Sequence, residues 1–139
     1  MKKAGIVLAL IGVAIISTTV CILWGPTPTE ARQECYVVKI NSPNDVQLSS
    51  PVINMYDCVV FLNWTREEMP RIVFTEGRAC TLSINAKIGF ELDDPSGCFS
   101  TKPLNYGETA SLVFSEPGFF KYMIEFKSGH KLSGTVEVK

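Results

Sequence analysis

The sequence predicts an all-β domain, an antiparallel sandwich of about eight strands, preceded by one N-terminal transmembrane helix. Three observations support this prediction. Residues 4–24 form an unbroken run without a charged side chain. The rest of the chain repeats short segments rich in β-branched and aromatic residues, separated by clusters of Pro, Gly, Asn and Asp. No stretch after the first run shows the 3.6-residue apolar period of an amphipathic helix.

The N-terminal run is long enough to cross a membrane. A helix rises about 1.5 Å per residue, so residues 4–24 cover the roughly 30 Å of a hydrocarbon core. Lys2 and Lys3 precede the run and place the N-terminus in the cytoplasm by the positive-inside tendency. We therefore expect residues 1–25 to be a single-pass anchor in the cell membrane. The remainder then lies outside the cytoplasm, in the periplasm or the extracellular space.

Two alternatives to a retained anchor exist. A cleaved signal peptide has a shorter apolar core and a small-residue exit site, whereas this run ends in Ile22, Leu23 and Trp24. A lipoprotein signal would place a small residue before the modified cysteine, but Val20 precedes Cys21. Both observations favour the retained anchor.

Composition and charge narrow the class of function. Hydrophobic residues make up 46% and charged residues 19% of the chain, ordinary values for a globular domain. Of the 13 Lys and Arg residues, two precede the apolar run, and the others are outnumbered by 14 Asp and Glu. No basic run of the kind that follows nucleic-acid phosphates occurs. Nucleic acid is therefore not an expected partner.

The exported part begins with a linker and continues as one domain. Residues 26–34 are rich in proline and polar residues, which predicts a linker, and residues 35–139 form the domain. We predict strands over 35–40, 52–64, 71–75, 81–85, 88–92, 110–115, 119–126 and 134–139. In residues 119–127, apolar and polar residues alternate, which predicts a strand with one buried face. Its inward residues are Phe120, Tyr122, Ile124 and Phe126.

Four cysteines of the domain are widely spaced and form no CxxC pair. They are Cys35, Cys58, Cys80 and Cys98. An even number in an oxidising compartment predicts two disulfides with three possible pairings. We favour Cys35 with Cys58, between neighbouring early strands, and Cys80 with Cys98, closing a short excursion.

Four sequence phrases carry a family resemblance: "VVFLNWT", "MPRIVFTEG", "LNYGETASLVFSEPGFFKYMI" and "LSGTVEV". Together they resemble the cupredoxin (plastocyanin-like, blue-copper) family from Val59 to the end of the chain, most specifically from Gly107 onward. The resemblance implies a Greek-key sandwich with a copper site at one end. Type 1 copper takes a thiolate, two imidazoles and a weak axial thioether. Placing the family pattern on Tyr122 and Gly134 locates the ligand positions in this chain. In chain order they fall on Arg71 (or Pro70), Ile124, Lys127 and Leu132.

None of these positions holds a family ligand. The sequence contains one histidine, His130, and no cysteine after Cys98, so a blue-copper centre is excluded. Arg71 and Lys127 would place two cations at the vacated end. A non-standard site that combines His130 with Met123 or other methionines is an alternative, because thioethers suit Cu(I). Methionines are more often gap-fillers in or near the core. We expect no cofactor.

Other chemistry has little support. Glu67 with Glu68, and the pair at 93–94, are adjacent carboxylates, which on strands or turns are usually solvated rather than catalytic. No motif in the sequence places the single histidine, as a base, beside a catalytic nucleophile, so we expect no enzyme activity. The triplet Asn63-Trp64-Thr65 is a possible glycosylation sequon.

These observations predict a non-catalytic, membrane-anchored protein without type 1 copper. It would act as a structural, accessory or docking subunit, with other subunits of a membrane complex as partners. The first alternative is a copper-binding or electron-transfer protein with a non-standard metal site. The second is a pilin-like filament subunit, because "KKAG" before an apolar helix resembles an archaeal pilin leader.

Overall fold

The computed structural model of the chain describes residues 32–75, 84–93 and 97–139. All of them belong to one unit, Ala31–Lys139. The predicted anchor, most of the predicted linker, Cys21 and Cys80 lie outside the described residues. Among those that are described, no helix has the length and apolar character needed to cross a bilayer.

Strands account for the regular structure of the described residues and form two sheets. In chain order the strands are β1 (Cys35–Ser42), β2 (Asp45–Gln47), β3 (Val52–Ile53), β4 (Cys58–Asn63), β5 (Arg71–Phe74), β6 (Ile84–Ile88), β7 (Phe90–Asp93), β8 (Cys98–Thr101), β9 (Thr109–Phe114), β10 (Gly118–Glu125) and β11 (Lys131–Val138). One sheet has the order β2-β1-β4-β9-β6, and the other has the order β3-β11-β10-β5-β8-β7. The predicted all-β sandwich is confirmed.

The strand pairing is not purely antiparallel, contrary to the prediction. β1 pairs with β4 in parallel, and β3 pairs with β11 in parallel. A parallel pair needs a crossover between its strands. Here the chain leaves the first sheet after β2, contributes β3 to the second sheet and returns as β4. The crossover lies inside the predicted strand 52–64, which is therefore two strands.

The break between β3 and β4 is fixed by the side chain of Asp57. Its carboxylate accepts hydrogen bonds from the backbone amides of Asn54 and Glu34, each at 3.0 Å. Tyr56, the residue before it, has a φ of 70°, which a continuous strand does not allow. Directly after Asp57, the Cys35–Cys58 disulfide joins the first residues of β1 and β4, which pair in register. This confirms the predicted Cys35–Cys58 pairing.

The core lies between the two sheets and is rich in aromatic rings. Phe61 contacts Phe74, Phe90 and Tyr122 edge-to-face, with ring centroids 5.0–6.2 Å apart. Such pairs add about 0.5–1.5 kcal/mol each to the stabilisation from burial. The four residues predicted to face inward along β10 and just beyond it are all buried.

A tyrosine on β10 and a glycine on β11 pair within the second sheet and contact the segment before β3. Tyr122 pairs with Gly134, and its hydroxyl donates a 2.6 Å hydrogen bond to the backbone carbonyl of Ser49. A Cβ at Gly134 would overlap the Tyr122 ring and the Ser49 carbonyl oxygen, so only glycine fits there. Burial raises the pKa of the Tyr122 hydroxyl, which keeps it protonated as a donor.

Candidate functional site

Three loops and the start of β5 form the end of the sandwich at which the sequence places the vacated ligand positions. The loops are 64–70 after β4, 102–108 after β8 and 126–130 in the β10–β11 hairpin. The backbone amide of Leu104 donates to the Pro70 carbonyl, which joins the first two loops. The amide of Ser128 donates to the Glu68 carboxylate at 3.1 Å, which joins the hairpin to the first loop.

Two of the four vacated positions hold apolar side chains that pack on the core. Ile124 and Leu132 are directly paired across β10 and β11, and Ile124 also pairs with Ile72 on β5. Ile124 has an exposed fraction of 0%, and the half-buried Leu132 packs against the core. Ile124, the residue that the sequence resemblance assigns to the thiolate position, is therefore part of the hydrophobic core.

Arg71, the third vacated position, is held on the outer face of the second sheet. Its Nε donates to the Thr101 carbonyl at 3.2 Å, and Nη2 donates to Ser100 Oγ at 3.0 Å. Its Nη1 lies 3.6 Å from a carboxylate oxygen of Glu125, whose other oxygen accepts from Lys131 Nζ at 2.8 Å. These two cations, Lys131 first, lower the pKa of the Glu125 carboxyl. The guanidinium of Arg71 is thus bound by other groups of the protein.

Lys127, the fourth position, lies in the hairpin loop and is exposed. It borders a depression of about 240 Å³. The depression is lined by Met69, Arg71, Pro103, Glu125, Phe126 and Lys127. Of the two cations expected at this end, Arg71 is paired with Glu125, whereas Lys127 is exposed.

His130 and Met123, the residues of the alternative metal site, occupy different parts of the hairpin. His130 is exposed in the turn, where its carbonyl accepts from the Phe126 amide at 2.9 Å. Met123 lies within β10, opposite Ser133 and Val73. Ser133, the residue opposite Met123, is three residues from His130. At about 3.3 Å per strand residue, the backbones of Met123 and His130 are therefore roughly 10 Å apart. The described residues contain no group of three His, Cys, Asp or Glu side chains that could hold a metal ion.

The donor set at this end does not fit type 1 copper. Such a centre needs a free thiolate and two imidazoles. The sequence has one histidine. Cys35 and Cys58 are bonded to each other, and Cys98 is also disulfide-bonded. Cys80 lies outside the described residues, so the predicted Cys80–Cys98 pairing stays a prediction.

Asn63, the first residue of the possible glycosylation sequon, has a structural role in the fold. Asn63 is completely buried, and its Nδ2 donates to the carbonyls of Leu104 at 2.9 Å and Glu68 at 3.2 Å. Its Oδ1 accepts from the Thr65 amide at 2.9 Å. A glycan is attached through this same Nδ2, so glycosylation is incompatible with this packing. Asn63 instead ties together the loops that follow β4 and β8.

An exposed aromatic pair lies within the loops after β4 and β8, and the sequence did not indicate it. Trp64 and Tyr106 have ring centroids 5.1 Å apart, with planes inclined at 39°. Lys39 Nζ lies 5.2 Å from the centre of the Trp64 ring, and Arg66 Cζ lies 5.1 Å from the centre of the Tyr106 ring. Trp64 and Tyr106 have exposed fractions of 47% and 43%. We call these four residues the aromatic–cation surface.

The two-sheet sandwich with this hairpin is a cupredoxin-like fold, as the sequence resemblance implied, and solved structures confirm it. Amicyanin from Paracoccus versutus (Thiobacillus versutus) is 15% identical, over 79% of this chain and 86% of that chain, with a TM-score of 0.53. An amicyanin mutant in its Cu(I) form is 17% identical over 79% and 87%, with a TM-score of 0.55. A reduced amicyanin mutant is 20% identical over 79% and 87%, with a TM-score of 0.52. At this identity the likeness concerns the fold alone. No protein-family model and no curated protein sequence matches the chain.

Proposed function

We propose that this chain is a non-catalytic cupredoxin-like protein that works without type 1 copper, as an accessory or docking subunit of a membrane complex. The observation that carries the proposal is the state of the vacated ligand positions. Ile124 is fully buried in the core. The Arg71 guanidinium is bound by Glu125, Ser100 and the Thr101 carbonyl. A frame that lacks the metal still offers a rigid sandwich on which loops can present a binding surface.

The arrangement of the carboxylates supports a non-catalytic role. Asp57, Glu68, Glu108 and Glu125 each accept a hydrogen bond from a backbone amide or a lysine. A general base must lie within hydrogen-bond reach of the substrate proton that it removes. These four carboxylates instead hold turns and strands in place.

The membrane part of the proposal rests on the sequence. Residues 4–24 carry no charge, and Lys2 and Lys3 precede them. A single anchor followed by a linker of nine residues keeps the domain near the bilayer. A subunit held in this way meets its partners in two dimensions, which favours docking on other membrane proteins.

Native purification tests the docking role. Membranes from the source organism are solubilised in a mild detergent, and the complex is separated by native electrophoresis and size-exclusion chromatography. We expect the chain to migrate with other subunits in constant proportion across fractions, and to separate from them in a denaturing detergent. Migration of the chain alone, at the size of its own detergent complex, would contradict the proposal.

A further inference from the structure

The aromatic–cation surface, Lys39, Trp64, Arg66 and Tyr106, has the composition of a binding hot spot. Trp, Tyr and Arg are the residues whose truncation costs the most at protein interfaces. Here a Trp and a Tyr are in contact and both are about half exposed. Aromatic rings left at a surface without a partner expose apolar area that a docked protein would bury.

The surface is held rigidly from beneath. The Trp64 amide donates to the Ile40 carbonyl at 2.8 Å, and the Gly107 amide donates to the Asn63 carbonyl at 2.8 Å. The buried Asn63 side chain holds both loops from below through its hydrogen bonds to Glu68 and Leu104. Because the rings are positioned before any partner arrives, binding would cost little ordering entropy.

Both charged side chains of the surface, Lys39 and Arg66, are cations. Among the described residues, Lys39 and Arg66 contact aromatic rings but form no ion pair with a carboxylate. In the neighbouring loops, Glu108 accepts from both the amide and the side chain of Asn105, and Glu68 accepts from the Ser128 amide. The remaining carboxylate there, Glu67, is exposed. The two cations are thus available to a partner's carboxylates.

We propose that the aromatic–cation surface docks an acidic segment of a partner protein, in which an aromatic or proline side chain is flanked by carboxylates. The inference rests on the proposed docking function and names its surface and the chemistry of its partner. The apolar side chain would pack against the edges of Trp64 and Tyr106, and the carboxylates would pair with Lys39 and Arg66.

Other ligand classes fit this surface less well. Anionic lipids are recognised by clusters of about four to eight basic residues, and this surface has two. Nucleic acid would meet a domain in which acidic residues outnumber basic ones. A sugar stacks on an open aromatic face, whereas Lys39 and Arg66 already lie over the faces of the two rings.

Selection from a displayed library of random seven-residue peptides tests the proposal. The full chain in mild detergent is the target, and Trp64→Ala chain is the parallel target. We expect selected peptides to be enriched in Asp and Glu beside Trp, Tyr, Phe or Pro, and to bind the Trp64→Ala chain at least about tenfold more weakly. No enrichment relative to the Trp64→Ala chain would overturn the proposal, as would enrichment of basic peptides. Trp64-dependent binding of oligogalacturonate in place of peptides would assign the surface to acidic sugars instead.

Matched variants separate docking from folding. Charge reversal at the exposed cation, Arg66→Glu, should weaken the selected peptides about tenfold or more, whereas Lys127→Glu in the hairpin should change their affinity less than about twofold. Tyr56→Ala removes another exposed ring, between β3 and β4, and should leave peptide binding unchanged. Equal loss in Tyr56→Ala and Trp64→Ala would show non-specific adhesion. Should the native complex survive Trp64→Ala intact, the docking function would stand and this surface would be excluded as its site.

Discussion

Replacing Ile124 with alanine should destabilise the domain by about 3 kcal/mol. Ile124 is fully buried between Ile72 on β5 and Leu132 on β11. The change removes three carbon atoms, worth about 0.8 kcal/mol each in transfer, and the cavity left behind places the total within roughly 2–5 kcal/mol. With an unfolding entropy of about 2.1 cal/mol/K per residue over a domain of roughly 105 residues, 3 kcal/mol lowers Tm by about 14 °C.

The assay is thermal unfolding of the oxidised chain, followed by near-ultraviolet circular dichroism of the aromatic core. The neighbouring residue provides the control, because Met123 lies on the outer face of the same strand. Met123→Ala should cost less than about 1 kcal/mol, as is usual away from the core. Equal losses from the two variants, or an Ile124→Ala loss below about 1 kcal/mol, would refute the claim that the vacated thiolate position is core.

Three further predictions concern the hairpin. Tyr122→Phe removes the hydrogen bond to the Ser49 carbonyl and should cost about 1 kcal/mol in urea unfolding, with an unchanged m-value; a cost near zero would show that the bond contributes nothing. Gly134→Ala should cost at least about 2 kcal/mol, because the new Cβ overlaps the Tyr122 ring; wild-type stability would mean that the hairpin can shift freely. The hydrogen bond from Lys131 holds the pKa of the Glu125 carboxyl in the folded chain below its ordinary value of 4.5. The ionised Glu125 carboxylate therefore stabilises the fold above pH 4.5, and this stabilisation is lost as the pH falls through the lower pKa of the folded state. Glu125→Gln should therefore flatten the decline of Tm as the pH falls below 4.5, and an unchanged slope would count against this explanation.

Strands in which apolar and polar residues alternate could be predicted from the sequence. Alternation along β10 identified its inner face because strand side chains point to opposite sides in turn. Two strands were missed: β2 is three residues long, and β8 contains Ser100 and Thr101 with little apolar signal. The break at Asp57 was also missed, because the carboxylate acts through an amide 23 residues away in sequence.

The candidate site could be predicted only in part, because its decisive contacts are distant in sequence. The spacing between Tyr122 and Gly134 indicated where the family ligands were missing. Ser100 and Thr101, two of the partners of Arg71, lie about thirty residues further along the chain, so the sequence did not show that they bind its guanidinium. The sequon at Asn63 is a three-residue pattern, whereas its burial depends on Leu104, 41 residues away. Trp64 and Tyr106 likewise meet only in the folded domain.

Copper stoichiometry after metal loading tests whether the domain works without copper. The purified full chain is incubated with Cu(I) and, separately, with Cu(II), and is then dialysed against a weak chelator. The copper content per chain is measured by elemental mass spectrometry, and the visible absorbance is recorded. A His130→Ala chain is treated in parallel. We expect far less than one copper per chain, no intense visible band and no difference between the two chains. One tightly held copper per chain, lost in His130→Ala, would contradict it.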